Sequence, residues 1–262
     1  MQTRNTSISN ASTKGISAQS SSLLKAGSII YRNIEDVHNV HEYCSKYSTQ
    51  QPKHLEELYV STSNNRRDSV MMISPLQGRT ISMLVSMKQP KRVLELGCFV
   101  GYSALWMAEG LLGNKSPSHI TTCEIDKELA ESSRNYIEKV GRSNLISVVN
   151  KPAQEVLDSW NPEEKLDFVF IDADKGGYWN YYNTILERNL LSPDGIMIVD
   201  NTLFYGKVHA LEEPMGDKGK SRSIRGVEKY IYNFNKMVSE DKRTEKVILP
   251  IFDGLTLIKL AK

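Results

Sequence analysis

A chain of 262 residues with 40% hydrophobic content can bury a sizeable core, and one large domain accounts for that length better than two. Its 33 basic and 31 acidic residues leave a net charge of +2, which lacks the strong basic excess of a nucleic-acid binder. No apolar run approaches the ~20 residues that a membrane helix needs, and Cys44, Cys98 and Cys123 are widely spaced with no Cys-x-x-Cys, as expected of reduced thiols in a cytoplasmic protein.

Residues 1–32 are rich in Ser, Thr and Asn and carry no acid, the composition of a disordered tail. The absence of acids also fits an organellar transit peptide, although no uninterrupted apolar h-region marks a secretory signal. From Asn33 onward one domain is expected, with helices over 33–90 and a sheet core over 91–262. Asn33 is placed as N-cap of a helix to Ser48, with Val40, Cys44 and Tyr47 at helical spacing. His38 and His41 lie one turn apart there, and without a third ligand they read as a solvated face. Pro52 with Leu55, Leu58 and Tyr59 predicts a second helix, followed by a polar loop over Ser61 to Ser69. Ser74-Pro75-Leu76-Gln77 has the form of a capping box, opening a helix to about Met87. Met71, Met72 and Ile73 precede it, either as a hydrophobic staple or as pocket lining.

Arg92 to Ser103 is the stretch around which the rest is organised. Val93, Leu94 and Leu96 predict a buried parallel strand, Gly97 and Gly101 bracket a turn, and Leu105, Ala108, Leu111 and Leu112 predict a helix. Strand, glycine turn and helix open a nucleotide-binding α/β sheet, with the ligand beyond the carboxyl ends of the strands. A dinucleotide fold uses Gly-x-Gly-x-x-Gly to seat a pyrophosphate. Here Cys98 and Phe99 intrude and Glu95 precedes the first glycine, a pattern suited to a ligand without phosphate.

Alternating units follow. Strands are predicted at His119 to Ile125, Leu145 to Val149, Leu166 to Ile171 and Gly195 to Val199. Helices are predicted from Asp126 to Gly141, Ala153 to Trp160, Tyr178 to Leu190 and Ser223 to Val238. Val247 to Ile251 and Leu255 to Leu260 read as a closing hairpin about Asp253-Gly254. The alternation predicts a mostly parallel, seven-stranded sheet with helices on both faces and an antiparallel C-terminal hairpin.

Three strand ends are acidic. Glu124 stands about 20 residues past the glycine turn, where such folds hold a ligand diol, and Asp126 is the natural helix cap beside it. Asp172 closes one strand, and Asp200 with Asn201 closes the next. Two carboxylates and an amide oxygen on one sheet edge suit a hard divalent cation such as Mg²⁺, Mn²⁺ or Ca²⁺. Lys175 follows directly. Beside a divalent cation an ammonium is disfavoured, leaving a neutral amine as base; the alternative is an ion pair with Asp174.

Glu-x-Gly-x-x-x-Gly resembles the first motif of the S-adenosylmethionine-dependent methyltransferases. Taken with Asp-Ala-Asp-Lys, Asp-Asn-Thr-Leu and the final Asp-Gly-Leu, the chain from about Asn39 onward is similar to the cation-dependent O-methyltransferases, which include the caffeoyl-CoA and catechol O-methyltransferases. The resemblance implies a Rossmann-like class I methyltransferase fold and a homodimer. It implies Asp172, Asp200 and Asn201 as metal ligands and Lys175 as the base. It also implies Glu95, Gly97, Gly101, Ser103, Glu124, Ala153, Gln154 and Asp172 around S-adenosylmethionine, with Met72 and Ile73 lying over cofactor and substrate.

The implied substrate is a small vicinal diphenol chelated through both oxygens, with deprotonation by Lys175 and in-line attack on the sulfonium methyl. Departures from the plant pattern are Phe204 in place of Trp, and a basic segment that keeps only Arg225 and Tyr230. Free catechol, flavonoid and CoA ester therefore all stay open as acceptors. The competing readings are an NAD-dependent oxidoreductase, disfavoured by the missing middle glycine, and a non-catalytic protein of the same fold, disfavoured by the intact acidic strand ends.

Overall fold

In the computed structural model, which describes residues 34–211 and 226–262, the chain divides into two units, Met1–Ser48 and Thr49–Lys262. The described part of the first is helix α1 (Ile34–Tyr47), on which His38 and His41 are exposed, as expected. Tyr43 and Tyr47 pack their rings one turn apart, 4.6 Å between centroids. The expected tail over 1–32 and the Asn33 cap lie outside the described residues.

The second unit opens with α2 (Lys53–Asn65), a single 3-10 turn (Ser69–Met71) and α3 (Pro75–Lys88). It continues with β1 (Arg92–Leu96), α4 (Tyr102–Leu111), β2 (His119–Glu124), α5 (Lys127–Lys139), β3 (Ile146–Asn150) and α6 (Ala153–Ser159). Then come β4 (Leu166–Ile171), α7 (Tyr178–Glu187), β5 (Leu191–Val199), α8 (Val227–Glu240), β6 (Thr244–Leu249) and β7 (Leu255–Leu260). The seven strands form one sheet in the order β3-β2-β1-β4-β5-β7-β6. β1 to β5 pair in parallel, and β7 runs antiparallel between β5 and β6.

The central strands are apolar on both faces because helices cover both. Along β1 and β4 alternate residues enter opposite cores. Leu94, Leu96, Val169 and Ile171 pack with α6, α7 and α8, while Val93, Phe168 and Phe170 pack with α2, α3 and α4. On the first face Phe234 of α8 meets Tyr178 and Tyr182 of α7 edge-on, at 5.6 and 6.2 Å. Chain order reverses at β1, which lies between β2 and β4, so a crevice opens beyond the carboxyl ends of the central strands.

Several boundaries differ from expectation. α2 continues into the polar stretch predicted as loop, as far as Asn65: Thr62 is buried and Asn65 Nδ2 donates to Ser61 O at 2.8 Å. Leu112 lies past the end of α4 and is exposed. β5 begins at Leu191 rather than Gly195, because Leu166 pairs with Leu191 but Phe168 with Ile196, so the Ser-Pro-Asp-Gly segment is a bulge within the strand. α8 starts at Val227, and the residues expected to begin it, Ser223 to Arg225, lie outside the described ones.

Where α8 meets β6, Asp241 accepts from Arg243 Nη2 at 2.6 Å and from the Tyr182 hydroxyl at 3.0 Å. The hydrogen-bonded Arg243 is the main reason its carboxyl falls from 3.8 to about 2. Because the folded value is the lower one, this junction contributes stability above the ordinary carboxylate range and loses it as pH falls. Asp241→Asn should flatten the decline in urea midpoint between pH 3.8 and about 2; an unchanged acid limb would contradict this.

Candidate active site

Strand register builds the site. Leu96 pairs with Ile171, and Ile171 with Val199, so Gly97, Asp172 and Asp200 each stand one residue beyond a matched level. Asp172 N donates to Leu96 O at 2.9 Å and Asp200 N to Ile171 O at 3.0 Å, which continues the parallel ladder to the aspartates. Adjacent strands lie about 4.8 Å apart, so the two carboxylates are close neighbours. Burial, then the charge of Asp172, pushes Asp200 up to about 7. Burial likewise raises Asp172, opposed by the charge and hydrogen bond of Lys175.

Each ligand candidate is held by a partner. Lys175 Nζ donates to Asp172 Oδ1 at 2.8 Å and to the buried Tyr178 hydroxyl at 2.7 Å. The ion pair considered with Asp174 is thus made with Asp172, while Asp174 accepts from the Tyr181 hydroxyl. Asp200 Oδ1 accepts from Asn201 N at 2.7 Å, and Asp200 Oδ2 from Gln77 Nε2 at 2.7 Å. Asn201 sits in the left-handed region (φ 56°) that Asn tolerates, and its Nδ2 donates to Asp253 Oδ2 at 3.0 Å. Its side-chain oxygen Oδ1 is thereby left for another partner.

The buried Asp200, the half-buried Asp172 and the Asn201 amide oxygen form an all-oxygen set in which a cation relieves the repulsion between the carboxylates, so these residues fit a hard divalent ion. Among the described residues no group of three or more His, Cys, Asp or Glu side chains is arranged to hold a metal, and this set contains only two such side chains, both Asp.

The crevice beside this set is shaped by glycine. Gly97 has φ +102°, and a Cβ there would lie 2.2 Å from the Asp172 carbonyl oxygen, so backbone approach as well as conformation demands glycine. Glu124 accepts from Phe99 N at 2.7 Å through Oε2 and from Asp126 N at 3.0 Å through Oε1. It thus anchors the glycine loop while each oxygen keeps lone-pair capacity. Asp126 caps α5 through Leu129 N, as expected.

Glu95 is fully buried; Thr122 Oγ1 donates to Oε2, Ser103 is its other polar neighbour, and Oε1 has no hydrogen-bond partner among the described residues. Gly101 (φ +82°) caps α4, whose first turn holds the buried Ser103. Ile73 is buried and Met72 half-buried against the core that includes Val100 and Tyr102. Ala153 and Gln154 open α6, but the Gln154 amide donates to Asp158 and to Thr184 on α7.

Residues missed from sequence share one property: each acts through a partner distant along the chain. Gln77 gives only half the capping box, its N–H bonding Ser74 Oγ at 3.2 Å while its side chain crosses to Asp200. Asp253 read as a turn residue, yet it holds both Asn201 Nδ2 and Tyr205 N.

Sheet order, glycine turn and acidic strand ends define a Rossmann-like methyltransferase. The O-methyltransferase family model matches residues 45–261. O-methyltransferase ankF of Aspergillus thermomutatus is 32% identical over 86% of this chain and 94% of that protein. A caffeoyl-CoA O-methyltransferase of Stellaria longipes is 31% identical over 84% of this chain and 89% of its own length. The S-adenosylhomocysteine-bound methyltransferase PaMTH1 of Podospora anserina superposes with a TM-score of 0.80 at 32% identity, over 90% of this chain and all of that one. The chain belongs to the O-methyltransferase family.

Burial raises the Glu95 carboxyl from 4.5 to about 8, with Ser103 and Thr122 opposing the rise. The unfolded chain therefore holds fewer protons between those values, and stability of the ligand-free protein falls as pH rises across the window. Asp200, raised to about 7, acts in the same direction. Glu95→Gln should give a shallower fall in urea midpoint between pH 4.5 and about 8; a profile parallel to wild type would contradict the assignment.

Proposed function

We propose that this O-methyltransferase uses S-adenosylmethionine and a divalent cation to methylate one hydroxyl of a vicinal diphenol. The observation that carries the proposal is the convergence of Asp172, Asp200 and Asn201 beside Lys175 at the mouth of the Gly97 crevice. The caffeoyl-CoA O-methyltransferase relatives and the S-adenosylhomocysteine in PaMTH1 support it. When bound, S-adenosylmethionine supplies an electrophilic methyl, and the cation supplies Lewis acidity toward paired phenol oxygens.

The protein supplies placement. Glu124 offers lone pairs to the ribose hydroxyls, and Glu95 with Ser103 faces the methionine end. Gly97 keeps the floor of the crevice clear. Beside a divalent cation on Asp172 the Lys175 ammonium paired with it is disfavoured, leaving Nζ, which also bonds the Tyr178 hydroxyl, as the neutral amine that accepts the phenolic proton. Met72 and Ile73 cover the site and exclude water, which favours a transfer in which opposite charges are neutralised. Alignment of acceptor oxygen, methyl and sulfur supplies much of the rate. The acceptor is a free catechol, a flavonoid or a CoA ester. Three free cysteines support a cytoplasmic location.

The test is transfer of labelled methyl to a catechol and to its monophenol analogue, with Mg²⁺ or with EDTA. Turnover should require both adjacent hydroxyls and the metal, and Lys175→Ala should lower kcat by about 10²–10⁴-fold. Equal turnover of the monophenol, or indifference to EDTA, would overturn the proposal.

A further inference from the structure

We propose that Gln77 is a positioning residue for the cation site, holding the Asp200 carboxylate from across the crevice with a donor that carries no charge. The inference rests on the cation-dependent reading above and deepens it. Gln77 is 5% exposed, lies at the third position of α3, and reaches a residue 123 positions away in the sequence. A local alternative existed: a capping-box glutamine ordinarily returns its side chain to the backbone N–H of the N-cap residue. Here Ser74 Oγ accepts from Gln77 N, but the Gln77 amide spans to Asp200 Oδ2.

The two aspartates are therefore held by chemically different partners. Asp172 has the cationic Lys175, whereas Asp200 has a backbone N–H on one oxygen and the Gln77 amide on the other. Two neutral donors fix the plane of a carboxylate and leave it two of its roughly four lone-pair sites and its full charge for an incoming ion. A cation in place of Gln77 would hold Asp200 equally well but repel the metal. An apolar side chain would leave one buried oxygen without its donor and the carboxylate free to rotate. Partners one step removed from a metal typically influence its affinity about 10- to 100-fold.

The experiment is Mn²⁺ titration of the full chain, followed by electron paramagnetic resonance, for wild type, Gln77→Met and Gln77→Lys. S-adenosylmethionine affinity is measured in parallel in EDTA. Both variants should bind Mn²⁺ at least about tenfold more weakly, with S-adenosylmethionine affinity unchanged. If Gln77→Met does not fold, Gln77→Lys, which retains a donor for Asp200, still tests whether that donor must be uncharged. Wild-type Mn²⁺ affinity in either folded variant overturns the inference. So does parallel loss of S-adenosylmethionine affinity, which would place Gln77 with the cofactor segment at Met72 and Ile73. Absence of Mn²⁺ binding by wild type would instead overturn the cation-dependent reading itself, and this inference with it.

Discussion

Two aspartates whose charges oppose one another are brought together by strand register, and most of the site answers that conflict. β4 and β5 are parallel neighbours that end level, so Asp172 and Asp200 leave the sheet side by side. Neither can rotate far into solvent, because Asp200 is buried and Asp172 is tied by Lys175. Repulsion between buried carboxylates costs stability unless a positive charge or a proton intervenes. Lys175 and the raised proton affinity of Asp200 are the protein's own responses, and a divalent ion would be a stronger one.

The surrounding elements fix this pair from three directions. α3 reaches over the sheet with Gln77. The β6–β7 turn offers Asp253 to Asn201, and Gly254 makes that possible, since a Cβ there would lie 2.4 Å from Leu203 N. From below, α7 presents the Tyr178 hydroxyl to Lys175, with its ring wedged against Phe234. The chemistry thus depends on an N-terminal helix, a central helix and the last hairpin meeting at one sheet edge, and loosening any of them should disturb the site before it unfolds the sheet.

Where local sequence decides structure, the sequence was legible. β4 is a dense apolar run that has to be buried on both faces, and its predicted bounds are those observed. The Gly97 turn and the acidic strand ends were legible because glycine and carboxylates have few reasons to occupy those positions. Long-range pairings were not. Ser-Pro-Asp-Gly before Ile196 carries every sign of a turn, yet strand pairing absorbs it as a bulge. The polar end of α2 reads as loop, yet its side chains bond back into their own helix. Gln77 satisfies a local motif on paper, and only the fold shows that its amide serves Asp200.

The central claim is that Asp172, Asp200 and Asn201 together hold one divalent cation. Anomalous scattering from crystals grown with Mn²⁺ and S-adenosylmethionine tests it most directly. The account predicts a single strong peak within coordination distance of both carboxylates and the Asn201 side-chain oxygen, with Gln77 still on Asp200. A peak elsewhere, or none at this sheet edge with the cofactor in place, would contradict it.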